Sequence, residues 1–515
     1  MSPVEVVIVG GGPTGLLLAG ELRLGGVEVI VLERLAAPTG LSKAPGVTGR
    51  GAQTLHYRGL LDRFDGAARG SARFAHFGGI PLPASGALTL TAPQAEVERV
   101  LQEWAVELGA QLRRGHQVTA LTQTEERVTL QVDGPDGGYR LDARYVVGCD
   151  GARSLVRRAA GIGFTGTEAT QISRFGDVTL TDPDAVPPGM RRTPTGLFTA
   201  FPLGDGVHRV VVSEWRTDGD RDAPVTLDDL RAAVRRVLGA EVGMSAPRWL
   251  SRFTDAARQA DRYRAGRVLL AGDAAHIQLP AGGPGMTTGL QDAANLGWKL
   301  AARVRGDAPA GLLDTYHGER HPVAERMLTF VRAQGLLLSP GPHVDALREV
   351  FAGLLTEPTT LRTVADRLTG LDIRYRPGPH PLIGGWAPDL ELDGGTTLGT
   401  LLHAGRPVLL DLTTDRRLGE AAAGWKDRVD IVPATAAEPL AGLLVRPDGY
   451  VAWAHETGDD GLIPALTTWF GPADGRRWPA SVGAEPGQAG EAGGDAVEGE
   501  RVQGSGLEIP GQKLQ

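Results

Sequence analysis

At 515 residues the chain is longer than one hydrophobic core can organise, so two or three domains are expected; 42% hydrophobic and 22% charged residues describe a globular protein. A net charge of -8, a pI near 5.8 and the absence of any Lys/Arg run exclude a nucleic-acid backbone as the partner. The single cysteine, Cys149, excludes an internal disulfide, no Cys/His cluster offers a structural zinc site, and neither a secretory leader nor an apolar run of about 18 residues is seen, so a cytoplasmic protein free of the membrane is expected.

Val4 to Val9 is a β-branched run interrupted only by Glu5; glycines follow, then helical spacing from Leu16 to Leu24 and a second apolar run from Val27 to Leu32. The alternation continues with a helix over Val97 to Leu108, strands at Val118 to Leu121, Val128 to Val132 and Tyr145 to Gly148, and a helix over Leu155 to Ala160. Between about 165 and 255, Leu197 to Pro202 and Val207 to Trp215 read as antiparallel sheet with one helix at Leu227 to Leu238, a cover for a substrate. Val268 to Leu270 is a further buried strand, Gly289 to Arg305 is a strong helix returning the chain to the first domain, and a helical stretch runs from Tyr316 to about Leu371. The composition shifts at Pro377 to Pro381, and strands at Val408 to Leu412, Asp430 to Val432 and Leu443 to Arg446 predict a separate small α/β domain. The tail after Gly471, rich in Gly, Ala and acids, has little to bury and is expected to stay mobile.

Gly10, Gly12 and Gly15 form G-x-G-x-x-G between a strand and a helix, where the turn must be tight, the backbone must approach a pyrophosphate, and the helix N-terminus offers free N-H groups to it. Glu33 ends the second strand 18 residues after Gly15, where its carboxylate can accept ribose hydroxyls and disfavours a 2′-phosphate; the first nucleotide is therefore FAD or NAD. Two more strand ends carry acids: Asp150-Gly151, before a helix with Arg157, and Gly272-Asp273, before the glycine-rich Pro280 to Met286.

These three ordered motifs, over residues 4 to 471, resemble those of the class A flavoprotein aromatic hydroxylases, and more closely the actinobacterial branch acting on aromatic polyketides and rifamycin-type antibiotics. The resemblance implies an α/β fold: an FAD-binding Rossmann-like domain of the glutathione-reductase/p-hydroxybenzoate hydroxylase type, an inserted β-rich substrate domain, and a C-terminal thioredoxin-like domain. It divides the chain into 1–165 (FAD-binding, with part of the substrate domain near 70–95), 166–260 (substrate sheet), 261–380 (return to the FAD-binding domain and helical segment), 381–471 (thioredoxin-like, without cysteine) and 472–515 (flexible tail). Around the FAD it places Gly10, Gly12, Pro13, Thr14, Gly15, Glu33, Arg34, Lys43, Arg50, Gln94, Val118, Asp150, Asp273, Pro280, Gly283, Gly285, Met286 and Thr287. Of these, Pro280, beside the flavin with its carbonyl toward the substrate, and Arg50 are the residues assigned to catalysis. A helix opening at Gly285 to Gly289 would favour negative charge on the reduced cofactor.

The activity implied is a monooxygenase in which NAD(P)H, with NADPH favoured, reduces FAD, O2 forms a flavin C4a-hydroperoxide, and an aromatic, polycyclic substrate receives one oxygen atom. Baeyer-Villiger, epoxidising or antibiotic-inactivating variants use the same motifs and stay open, as does a flavoprotein that has lost oxygenation. The protein's task is to exclude water and orient the ring, so no acid-base dyad is demanded. His276 is read as packing behind the flavin, Cys149 as a small buried side chain, and His317 with His321 as a helix face without a third metal ligand; no metal is expected. Phe74, Phe77, Phe175, Phe198, Phe201 and Trp215 lie in segments expected to line the substrate cavity, most of them as core. Lys43, Pro45, Pro284 and Thr288 depart from the family pattern, which puts arginines, glutamine and asparagine there. A C-terminal domain without cysteine cannot exchange thiols, which leaves it a scaffold or homodimer-contact role.

Overall fold

Val6, Val7 and Ile8 have no solvent exposure, and the strand Val4–Val9 runs parallel between Val29–Glu33 and Gly137–Gly148 at the centre of an eight-stranded sheet. In this computed structural model, which describes residues 3–64, 66, 68–71, 75–83, 87–187, 189–215, 224–280 and 283–473, Phe74 and the tail from 474 onward lie outside the described residues. Gln111–Arg114 continues the parallel order on one side and Val268–Leu270 on the other, and the register Val147↔Ile8↔Val31 brings three strands to a common end at Gly148, Gly10 and Glu33. The turns that follow are therefore neighbours in space although far apart in sequence. Pro13–Leu24 buries Leu16, Leu17, Leu18 and Leu22 between this sheet and the helices Gln94–Glu107 and Pro284–Arg305, each worth about 1.5–3 kcal/mol. Gly20 lies directly under the Trp104 ring of Gln94–Glu107 and allows no larger side chain. The strand expected at Tyr145 to Gly148 is longer: its first half folds back on Val128–Gly134 as an antiparallel hairpin.

Five antiparallel strands in the order Met190–Arg192, Gly196–Gly204, Val207–Trp215, Gln171–Leu180 and Met244–Thr254 form a second sheet. Leu227–Leu238 covers one face; its start is fixed by a reciprocal Thr226/Asp229 capping box and its end by Gly239. Against it pack Val178, Phe198, Val210 and Val212. Alternation sends Phe175, Phe201, Trp215, Trp249 and Phe253 to the opposite face, where all five are half-buried. Of the aromatics expected around a cavity, Phe175, Phe201 and Trp215 thus share that face, whereas Phe198 is core beneath the helix and Phe77 packs with Phe330 and Phe351 under the helical segment. Trp249 and Phe253, on a strand that sequence patterning did not find, complete the face.

The C-terminal residues form a four-stranded sheet in the order Asp430–Pro433, Val408–Asp411, Gly442–Val445, Val451–His455, with the first pair parallel and the others antiparallel, followed by the helix Leu462–Phe470. Buried charge fastens it to the helices Pro284–Arg305 and Thr315–Leu338. Arg446 grips Glu319 through two bonds of 2.8 and 2.9 Å and also binds Asp448, while Lys299 and Asn295 donate to Glu319 at 2.7 and 2.8 Å. Burial works against ionising the Glu319 carboxyl, but Arg446 and Lys299 hold it far below the usual carboxylate range. Removing one member leaves unpaired buried charge, so Arg446→Met should lower stability by about 3–5 kcal/mol in urea unfolding. A loss below about 1 kcal/mol would show that the network does not fasten the module.

Candidate active site

The glycine turn is built by exclusion. Gly10 has φ +111°, and a Cβ there would overlap the Cys149 carbonyl oxygen; a Cβ at Gly15 would overlap the Gly10 carbonyl oxygen. Gly12, by contrast, would place a Cβ in open space, with nothing within 4 Å. Two glycines close the turn and the third faces open space. Pro13 and Thr14 begin the helix that points into it. Glu33 accepts from the Gly11 and Leu35 N-H groups at 2.8 and 2.9 Å, which fixes its carboxylate at the edge of the turn. Arg34 next to it is exposed; Val118 borders the same strand end through His116, whose N-H donates to the Glu33 carbonyl, but its side chain is core.

The two acidic strand ends lie beside the glycine turn at the same end of the sheet. Asp150 Oδ2 accepts from the Val156 N-H at 3.1 Å and caps the following helix, whereas its Oδ1 is buried without a partner. Arg157 clips this helix to the second turn, donating to the Ala274 and Ala152 carbonyls at 2.8 and 3.0 Å. Asp273 is exposed, yet desolvation by the surrounding protein raises its carboxyl, against the pull of His276 and Lys43. Thr14 Oγ1 sits 2.7 Å from where a Gly272 Cβ would stand and nearer still to where a Gly289 Cβ would stand, so the glycine turn, the Gly272 turn and the helix Pro284–Arg305 meet at one side chain.

That helix starts at Pro284, one residue before the opening expected at Gly285 to Gly289 and five before the apolar period at Gly289, with Gly283 as its cap; Met286 packs on the core and Thr287 Oγ1 donates to the Thr48 carbonyl at 3.2 Å. The Pro280 carbonyl accepts from the Gly283 N-H at 3.2 Å and its ring is exposed, while Gly285 faces Gln278. Gln94 opens its helix and donates to Glu98 at 2.8 Å; burial raises the Glu98 carboxyl, which Gln94, Arg114 and Lys43 partly offset. Glu98 is a member of this rim that sequence reasoning did not name. Lys43 is exposed, and its carbonyl accepts from Arg209, whose guanidinium is paired bidentately with Asp177 on the aromatic sheet face. Phe253 of that face packs with Leu279, next to Pro280. Arg50 is brought near Thr287 through its neighbours, but its guanidinium turns toward Gln53, the Leu371 carbonyl and the Trp386 ring. Its Nε is buried without a partner.

Behind these turns lies a charged cluster that no motif announced. Asp292 is fully buried and accepts from His276 Nε2 and Arg320 Nε, both at 2.7 Å, and from the Gly272 N-H at 3.1 Å. His276 is thus fully buried and tied to Asp292. Burial alone would raise the Asp292 carboxyl, yet Arg320 and His276 hold it below the ordinary range. Carboxyls depressed on folding stabilise the fold above their unfolded pKa and lose that contribution as pH falls through the folded value. With Asp292 and Glu319 both depressed, the melting temperature should stay nearly level from pH 7 to 5 and drop steeply below about pH 4; a steady fall beginning at pH 7 would contradict this. Cys149 is pushed up by burial and is no nucleophile. His317 and His321 contact each other at a tilted angle, and Tyr263 meets His321 tilted and His317 edge-on. The grooves lined by Arg262, Arg264, Asp314 and His317, and by Tyr145, Arg267 and Arg303, contain none of the motif residues.

Comparison with known proteins gives a consistent picture. A family model described as FAD binding domain matches residues 3–331, and one described as aromatic-ring hydroxylase, C-terminal, matches 380–473. The chain is 48% identical over 501 residues to a 12-dehydrotetracycline 5-monooxygenase/anhydrotetracycline 6-monooxygenase of Streptomyces rimosus, covering 91% of this chain and 99% of that protein. It is 45% identical over 481 residues to a rifampicin monooxygenase of Streptomyces venezuelae, with the same coverage. Among solved structures, an aromatic hydroxylase from angucycline biosynthesis superposes with a TM-score of 0.86 at 45% identity, covering 92% of this chain and 100% of that one.

Proposed function

We propose that this chain, which belongs to the FAD-binding aromatic-ring hydroxylases, oxygenates a fused-ring aromatic compound of the polyketide kind. As a member of that family it is an FAD-dependent monooxygenase, an enzyme that takes electrons from NAD(P)H and oxygen from O2. The residues fit the cofactor: a glycine turn left open only at Gly12, a buried Asp150 oxygen without a partner and an exposed acid, Asp273, without a protein partner among the described residues are what a polar, phosphate-bearing ligand requires. We assign Gly10 to Gly15 to its pyrophosphate, Glu33 to a ribose, Asp150 and Asp273 to its sugar and ribityl hydroxyls, and the Gly283 to Thr287 turn to the flavin ring. When bound, FAD supplies the redox chemistry that no side chain here has: it accepts hydride from NAD(P)H, favoured as NADPH, and activates O2, so that one oxygen atom enters the substrate ring and the other leaves as water.

The observation that carries the substrate reading is the sheet face bearing Phe175, Phe201, Trp215, Trp249 and Phe253, continuous through Arg209 with Lys43 and through Leu279 with Pro280. Flat rings bury large area against such a face with few rotatable bonds to order. We assign Lys43, Gln94 and Pro280 to the border of flavin and substrate and keep Arg50 in that role through its backbone neighbourhood, its guanidinium being held by Gln53 and the Leu371 carbonyl; the start of the Pro284 helix would stabilise negative charge at its end. Relatives named for tetracycline intermediates and rifampicin support the same class. We read residues 381–471 as thioredoxin-like, which the strand order of its sheet supports; without cysteine it serves to brace the long helices. We place the enzyme in the cytoplasm; among the described residues no helix is long and apolar enough to cross a membrane. NADPH oxidation measured with and without a panel of anhydrotetracyclines, angucyclines and rifamycins tests the reading. Acceleration by at least one fused-ring member is expected; acceleration only by single-ring phenols would overturn it.

A further inference from the structure

Asp273 makes no hydrogen bond to the protein among those described, yet the turn that presents it must be held. Gly272 has φ +60° and lies against Thr14 Oγ1, so a shift of its peptide disturbs the glycine turn as well as Asp273. We propose that Asp292 is the positioning residue of the flavin site. Its Oδ2 accepts from both the Gly272 N-H, at 3.1 Å, and His276 Nε2, at 2.7 Å, and thereby ties the two ends of the 272–276 turn to one atom of the Pro284 helix. Its Oδ1 accepts from Arg320 Nε at 2.7 Å on the helix Thr315–Leu338, and Arg320 in turn donates to the Thr288 carbonyl and the Tyr375 hydroxyl at 3.2 and 2.8 Å.

The direction of the argument follows from what each partner lacks. His276 is fully buried and its Nδ1 has no partner, so the bond to Asp292 is the polar contact that sets its ring. A carboxylate with no solvent exposure is retained only where several donors converge on it, and here they come from three separate elements. Asp292 leaves Asp273 unencumbered for ligand hydroxyls by carrying the structural bonds of the turn itself. The proposal rests on the FAD reading of the site.

FAD titration of the apoprotein, followed by flavin fluorescence and visible circular dichroism, tests it. Asp292→Asn keeps the shape but must set an N-H against the donor of Gly272, His276 or Arg320. It should weaken FAD binding on the order of 10- to 100-fold and alter the visible dichroism of the bound flavin. Glu319→Gln removes an equally buried charge from the neighbouring cluster; it should lower the melting temperature yet leave FAD affinity within about twofold of the parent. Equal losses of affinity in both variants, or an unchanged affinity and spectrum in Asp292→Asn, would overturn the proposal. Should Asp292→Asn not fold, His276→Gln replaces it, loosening only the far end of the turn; unchanged affinity there would overturn the proposal too. A parent apoprotein that takes up no FAD would instead refute the cofactor reading.

Discussion

Asp273→Ala is expected to weaken FAD binding on the order of a hundredfold or more while leaving the apoprotein at least as stable as the parent. The two effects have opposite signs for one reason. Asp273 is exposed and bonds to nothing among the described residues, yet desolvation by the protein around it raises its carboxyl. A carboxyl raised on folding costs stability at neutral pH, a cost that vanishes only as pH falls through the ordinary carboxylate range. Alanine removes that cost. The same substitution removes an acceptor for ligand hydroxyls, and hydrogen bonds to a charged group contribute about 1.5–3 kcal/mol each, so losing one or two of them accounts for the weakened binding. Urea unfolding of the apoprotein and FAD titration, run on the same preparation, measure both. A destabilised apoprotein would mean that Asp273 serves the fold rather than a ligand.

Gly10→Ala and Gly12→Ala should separate just as sharply. At Gly10 the added Cβ meets the Cys149 carbonyl, and relief would require parting two strands joined by the 2.8 Å bond from the Cys149 N-H to the Val9 carbonyl. Together with φ +111°, backbone strain and overlap should cost about 2–6 kcal/mol, enough to leave a protein of ordinary stability without FAD and poorly folded. At Gly12 nothing lies within 4 Å, so alanine should leave unfolding within about 0.5 kcal/mol and reduce only FAD affinity. Equal stability losses in the two variants would contradict the account of the turn.

How much of this was legible in the sequence varied with the physics. The three strand-end motifs could be read because tight turns, free helix termini and isolated acids dictate local residue types that tertiary context does not alter. The helices at Gln94 and Pro284 were placed late, at Val97 and Gly289, because their first turns are polar or contain proline and the apolar period starts only afterwards. Met244–Thr254 escaped notice because Pro247 and Arg248 interrupt its alternation; it is an edge strand, where a missing N-H is tolerated. Phe198 and Phe201, an odd number of residues apart on one strand, cannot share a face, and strict alternation would have separated the core residue from the cavity residue. Asp292, Asn295 and Lys299 stood in a helix buried almost throughout, which was itself a sign of buried charge. Their partners Arg320, Glu319, Arg446 and Asp448 lie on other elements, and a single sequence does not state such pairings.

The central claim is that this protein transfers an oxygen atom from O2 to a fused aromatic ring. Reaction with NADPH and a responsive polyketide under ¹⁸O2, followed by mass spectrometry of the product, tests it most directly. One ¹⁸O atom in the product is predicted, with Asp273→Ala giving none at the same FAD concentration. NADPH consumption that yields only hydrogen peroxide and unchanged substrate, or a product whose new oxygen comes from water, would contradict the claim.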